Sequence, residues 1–105
     1  METVDDILLK AVDETLKEIF KETGAKVIYN FLGNNHHLKW EEIAERSEVF
    51  SSGIERLLGS GAQVTEKLIL KKLHSKLKLE FKEKEGYAFS DYVEELRKKF
   101  EGRRV

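Results

Sequence analysis

The chain has 105 residues, 40% of them hydrophobic, enough for one domain with a modest core and too apolar for a disordered segment. Charged side chains make up 37% yet cancel to a net charge of -1, which gives no global pull toward nucleic acid or an anionic membrane. No cysteine is present, so disulfides, thiolate metal sites and cysteine nucleophiles are excluded. The acidic start METVDDILLK is not a secretory signal, and no apolar run reaches the length of a membrane span. A cytoplasmic protein is expected. Lysine and glutamate dominate the charges and Asn plus Gln number four, a composition that leans toward a thermophilic source although proline is absent.

Taken in order, Thr3 caps a first helix, with Asp5 and Asp6 in its first turn where the helix dipole favours them. Val4, Ile7, Leu8, Ala11, Val12, Leu16, Ile19 and Phe20 recur at helical period, and the helix runs to about Glu22 with Gly24 as its stop. Val27, Ile28, Phe31 and Leu32 give a second helix, ended by Gly33, Asn34 and Asn35. The β-branched and aromatic cluster there also suits a short strand, but the next stretch offers no strand partner. After a His36-His37-Leu38 loop, Trp40, Ile43 and Ala44 set a short helix. Ser51 or Ser52 then caps another, carrying Ile54, Leu57 and Leu58, with Gly53 clouding its limits.

Residues 61–79 predict the central helix. Ala62, Ile69, Leu70, Leu73 and Leu77 share one stripe, while Val64, Leu68 and Leu79 form a second on the far side. Two apolar stripes imply neighbours on both sides. Lys67, Lys71, His74 and Lys78 line up between them as a polar ridge. Residues 80–86 alternate charges with Phe81 and read as a solvated extension or an edge strand. Ser90 caps a last helix with Phe89, Val93, Leu96 and Phe100 on its apolar face, and Gly102, Arg103, Arg104 and Val105 form a frayed tail. The expected fold is all-α, one domain spanning residues 1–105, with five or six helices packed around residues 61–79.

Candidate chemistry is sparse. Residues 39–58, KWEEIAERSEVFSSGIERLL, resemble a helix-turn-helix of bacterial and archaeal transcription regulators, with Ile43, Ala44, Val49, Ile54 and Leu57 at the right spacing. Glu48 stands where the turn glycine is usual and Ser47 where an apolar residue is. The resemblance implies DNA contacts by Ser51, Ser52 and Arg56, of which only Arg56 is positive. The lysine ridge of Lys67, Lys71, His74 and Lys78 reads first as a solvated face and second as an anion or partner contact. His36, His37 and His74 lack any familiar metal-ligand spacing, so no metal is expected. Without a GxSxG, P-loop or GxGxxG pattern, neither a catalytic residue nor a cofactor is expected. Phe81, Tyr87 and Phe89 crowd one connection, where they either plug the end of the core or form a docking groove.

Residues 59–98, from GSGAQVTEKL through LEFKEKEGYAFSDYVEEL, resemble small archaeal helical domains of poorly known function. Some of these are attached to signal receivers or histidine kinases as presumed output modules. The resemblance implies a non-catalytic interaction or signal-output role through protein partners or self-association. The helix-turn-helix reading stands as the alternative.

Overall fold

The computed structural model describes residues 2–100. Among them lie four α-helices: α1 (Val4–His36), α2 (Ser47–Leu58), α3 (Gly61–Lys76) and α4 (Phe89–Lys99), plus a 3-10 turn at Trp40–Glu42. No strand occurs among the described residues. The radius of gyration, 13.0 Å, is that of one compact domain. The expected tail at 102–105 lies outside the described residues.

Four helices replace the expected five or six because the first two expected helices join into one and the helix expected around Trp40 is a 3-10 turn. The first helix does not stop at Gly24. Helical hydrogen bonding carries on to His36, interrupted only at Lys21, whose φ of 63° and ψ of 175° leave the helical region. A straight helix of that length would run about 50 Å, beyond the 33 Å longest dimension of the molecule. So α1 is two arms joined by a sharp bend. The Tyr29 hydroxyl donates to the Asp13 carboxylate at 2.9 Å, whereas sixteen residues along a straight helix would separate them by about 24 Å. Gly24 serves the bend differently: a Cβ there would lie 2.6 Å from Phe20 Cβ. Burial and the Asp13 bond together push the Tyr29 phenol pKa upward.

The N-terminus of α1 behaves as its sequence dictates. Thr3 Oγ1 accepts from the Asp6 N–H at 3.2 Å, and the Asp6 carboxylate accepts from the Thr3 N–H at 3.1 Å, a reciprocal cap. At the other end, Gly33-Asn34-Asn35 does not terminate the helix. His36 is still helical, and His37 in the left-handed region (φ 50°) ends it.

The short helix expected around Trp40 is a single 3-10 turn, after which Ile43 and Ala44 are buried in the following turn. Helix α2 starts at Ser47, so Ser51 and Ser52 sit inside it and cap nothing. Gly53 is where α2 closes on α1: a Cβ would meet Leu32 Cδ2 at 2.5 Å and His36 Cδ2 at 3.2 Å. Gly53→Val is therefore expected to cost about 1–3 kcal/mol through overpacking, read in a urea melt. A loss under about 0.5 kcal/mol, the range of ordinary surface changes, would mean the two helices have room to part.

Helix α3 ends at Lys76, three residues short of the expected Leu79. Lys78 takes the left-handed conformation (φ 60°). The Leu79 N–H bonds the His74 carbonyl at 2.8 Å and the Lys78 N–H bonds the Ser75 carbonyl at 3.0 Å, the pairing of a Schellman stop. Helix α4 begins at Phe89, not after a Ser90 cap, with the Asp91 carboxylate accepting from the Ala88 N–H at 2.8 Å. The Arg97 guanidinium grips Asp5 of α1 through two bonds, 2.9 and 3.2 Å, tying the last helix to the first.

One core joins all four helices: Leu8, Val12 and Leu16 from α1, Phe50 and Ile54 from α2, Ile69 and Leu73 from α3, and Val93 from α4. The expected stripe of α3 is buried at Ala62, Ile69, Leu70 and Leu73. The second stripe is split: Leu79, beyond the helix end, is half-buried against the core, whereas Val64 is 62% exposed and Leu68 is 40% exposed, so α3 leaves an apolar face open at those two positions.

Candidate functional site

Beyond α3 the chain runs as a strap over residues 77–88, without regular structure but fastened at several points. Phe81 packs edge-on against the His74 ring at 5.1 Å and against Tyr92 at 5.4 Å. The Tyr92 hydroxyl accepts from the Lys84 N–H at 2.7 Å. Lys84 Nζ reaches both oxygens of Glu95 at 2.7 Å, and the Tyr87 hydroxyl donates to Glu95 at 2.9 Å. Those bonds hold the Glu95 carboxyl below the usual carboxylate range. The segment is thus coil with a turn at Gly86 (φ 81°), and the edge-strand alternative is not adopted. Of the three aromatics expected there, Phe89 is buried and Phe81 half-buried against the core, while Tyr87 stays 39% exposed.

The strap stands off from α2 and α3 and leaves a cleft of about 810 Å³ between them. Its apolar walls are Val64 and Leu70 of α3, then Phe81, Tyr87, Phe89 and Tyr92; its polar groups are Ser51 and Glu55 of α2, Gln63, Glu66 and Lys67 of α3, and Glu83, Lys84 and Glu85 of the strap. Lys67 pairs with Glu83 across the mouth. Glu66 faces inward and accepts a hydrogen bond from the Ser51 hydroxyl.

Burial raises the Glu66 carboxyl above its usual range; the Ser51 bond opposes this and the Glu55 charge adds to it. A folded state that holds this proton more tightly than the unfolded chain makes ionised Glu66 a cost above its raised pKa. The cost fades as pH falls toward the ordinary glutamate value of about 4.3. Glu66→Gln is expected to raise the melting temperature at neutral pH, and to lose that advantage in acid. Identical melting at neutral pH would show that water still reaches the carboxylate freely.

The lysine ridge does not survive as one surface. His74 is only 7% exposed, its Nδ1 lying 2.7 Å from the Leu70 carbonyl, to which it donates. Lys67 is taken by Glu83. Lys78 has turned away at the helix stop, and Lys71 remains exposed. Neighbouring Lys72 and Lys76 pair with Glu14 and Glu18 of α1. The positive charge is thus divided: Lys72 and Lys76 are paired across the α1–α3 contact, Lys67 is paired by the strap, and Lys71 and Lys78 are exposed.

Of the residues assigned to DNA contact, Ser51 is half-buried on Glu66, while Ser52 and Arg56 are exposed on α2. The first helix of the supposed helix-turn-helix is the 3-10 turn, so residues 39–58 do not form two α-helices. His36 lies against Phe31 at 5.6 Å and His74 against Phe81. Among the described residues no three His, Asp or Glu side chains converge to hold a metal, and no helix is long and apolar enough to cross a membrane.

Sequence reasoning missed Glu55, Gln63 and Glu66 as members of one site. The signal available was Glu66 itself, a carboxylate set within the apolar stripe of α3. No protein family, curated protein or solved structure matches this chain.

Proposed function

We propose that this protein is a small helical interaction module, of the signal-output kind and working in the cytoplasm, that acts by contact and not by catalysis. What supports the reading is the open face of α3. Val64 and Leu68 are one helical turn apart, so their side chains are neighbours. Val64 also forms one wall of the aromatic cleft, and Leu68 lies beside Ile19 of α1, itself 39% exposed. An exposed apolar face bordered by polar residues suits a protein partner, including a second copy of the chain.

The test is selection of binding peptides from a displayed library against the intact protein. Selected peptides are expected to lose binding to the double variant Val64→Lys, Leu68→Lys, whose melting should be unchanged because both side chains are already solvated. Peptides that bind the variant equally well, or a library that yields none, would overturn the reading. Tight, salt-sensitive capture of mixed duplex DNA by the wild-type protein would favour the helix-turn-helix alternative instead.

A further inference from the structure

We infer that the cleft beside α3 takes a basic amphipathic helix of a partner protein, whose arginine or lysine pairs with Glu66 while its apolar face covers Val64 and Tyr87. This rests on the interaction reading above and specifies the partner's chemistry. Four carboxylates face the cleft, from Glu55, Glu66, Glu83 and Glu85, against two lysines. Both lysines are committed: Lys67 to Glu83, and Lys84 to Glu95 on the adjoining wall. Glu55, Glu66 and Glu85 have no ion-pair partner among the described residues, so the unbalanced charge at this apolar surface is negative.

Glu66 is the best placed of the three. Ser51 occupies one of its oxygens, Oε2, and fixes the carboxylate's orientation; Oε1 has no hydrogen-bond partner among the described residues. A carboxylate that is half desolvated, oriented by a neighbour and repelled by Glu55 gains most from an arriving cation. Arginine fits best, because its planar fork can reach the free oxygen while its stem lies along the tyrosine and valine walls. An acidic or neutral partner would add repulsion, or leave the carboxylate buried without compensation.

Two capped fourteen-residue amphipathic helices serve as probes, with identical leucine faces and with arginine or glutamate at the remaining positions. Calorimetric titration at low and physiological salt is expected to show binding of the arginine peptide alone. Glu66→Gln should weaken it about tenfold, less than truncating one partner of a fully buried pair because Glu66 is only half-buried. Glu41→Gln, outside the cleft, should leave it unchanged. Equal binding of both peptides, abolished by Val64→Lys, would overturn the charge assignment and leave the interaction reading standing. Arginine-peptide binding that ignores Glu66→Gln would overturn the placement, and no binding of either peptide would overturn the inference altogether.

Discussion

Phe50→Ala is expected to lower the unfolding free energy by about 3–5 kcal/mol, the cost of emptying a fully buried aromatic site. Phe50 has no exposed surface, and its ring stacks at 5.7 Å on Phe89, the first residue of α4. Truncation removes the contact by which α2 holds the start of the last helix. A domain of this size has about 5–15 kcal/mol in all, so the variant should lose about a fifth of its stability or more. Urea denaturation followed by circular dichroism reads the change. A loss below about 1 kcal/mol would mean the site collapses around the gap, as the spread among core truncations allows only for loosely packed positions.

Leu73→Ala is expected to cost about 2–5 kcal/mol by the same mechanism. Leu73 is fully buried on the one stripe of α3 that faces the core. The contrast with Leu68, five residues earlier on the same helix, makes the pair informative. Leu68→Ala should change stability by under about 0.5 kcal/mol, as expected of an exposed position. Comparable losses at both positions would contradict the one-sided burial of α3.

The all-helical class and the core stripes were legible because they rest on periodicity. Val4 through Leu16, Ala62 through Leu73, and Phe89 through Leu96 repeat at helical spacing, and burial follows that spacing. Boundaries were harder: Gly59 and Gly86 break the chain as glycines are expected to, but three other breaks are made by residues that do not advertise them. Lys21, His37 and Lys78 take positive φ values, while Gly24, Gly33 and Gly53 remain helical. A lysine in the left-handed region costs about 1–2 kcal/mol relative to glycine, and no sequence rule anticipates it. Hydrogen bonds offset that cost: Tyr29 to Asp13 across the Lys21 bend, and the local backbone bond of Leu79 to His74 at the α3 stop.

The site was legible only in pieces. Phe81, Tyr87 and Phe89 stood out as a cluster; Phe81 and Phe89 pack on the core, and Tyr87 lies at the rim of the cleft. Lys67, Lys71, His74 and Lys78 do not form one surface, because sequence shows charges along one helix and hides the helix end before Lys78, the burial of His74 and the carboxylates opposite. Glu14 and Glu18 are more than fifty residues away from Lys72 and Lys76 in the chain, yet they meet them across the helix contact. Ser51 and Glu66, fifteen residues apart on different helices, meet for the same reason. No periodicity on a single helix reports a pair of that kind.

Docking at the open face of α3 is tested by a nuclear magnetic resonance titration of the labelled protein with a peptide selected for binding. Resonances of Val64, Glu66, Leu68 and Tyr87 are expected to move together and saturate, with Arg56, Lys71 and Lys76 little affected. Shifts confined to Ser52, Arg56 or the lysines, with the cleft residues still, would contradict the account and move the functional surface to another face of the molecule.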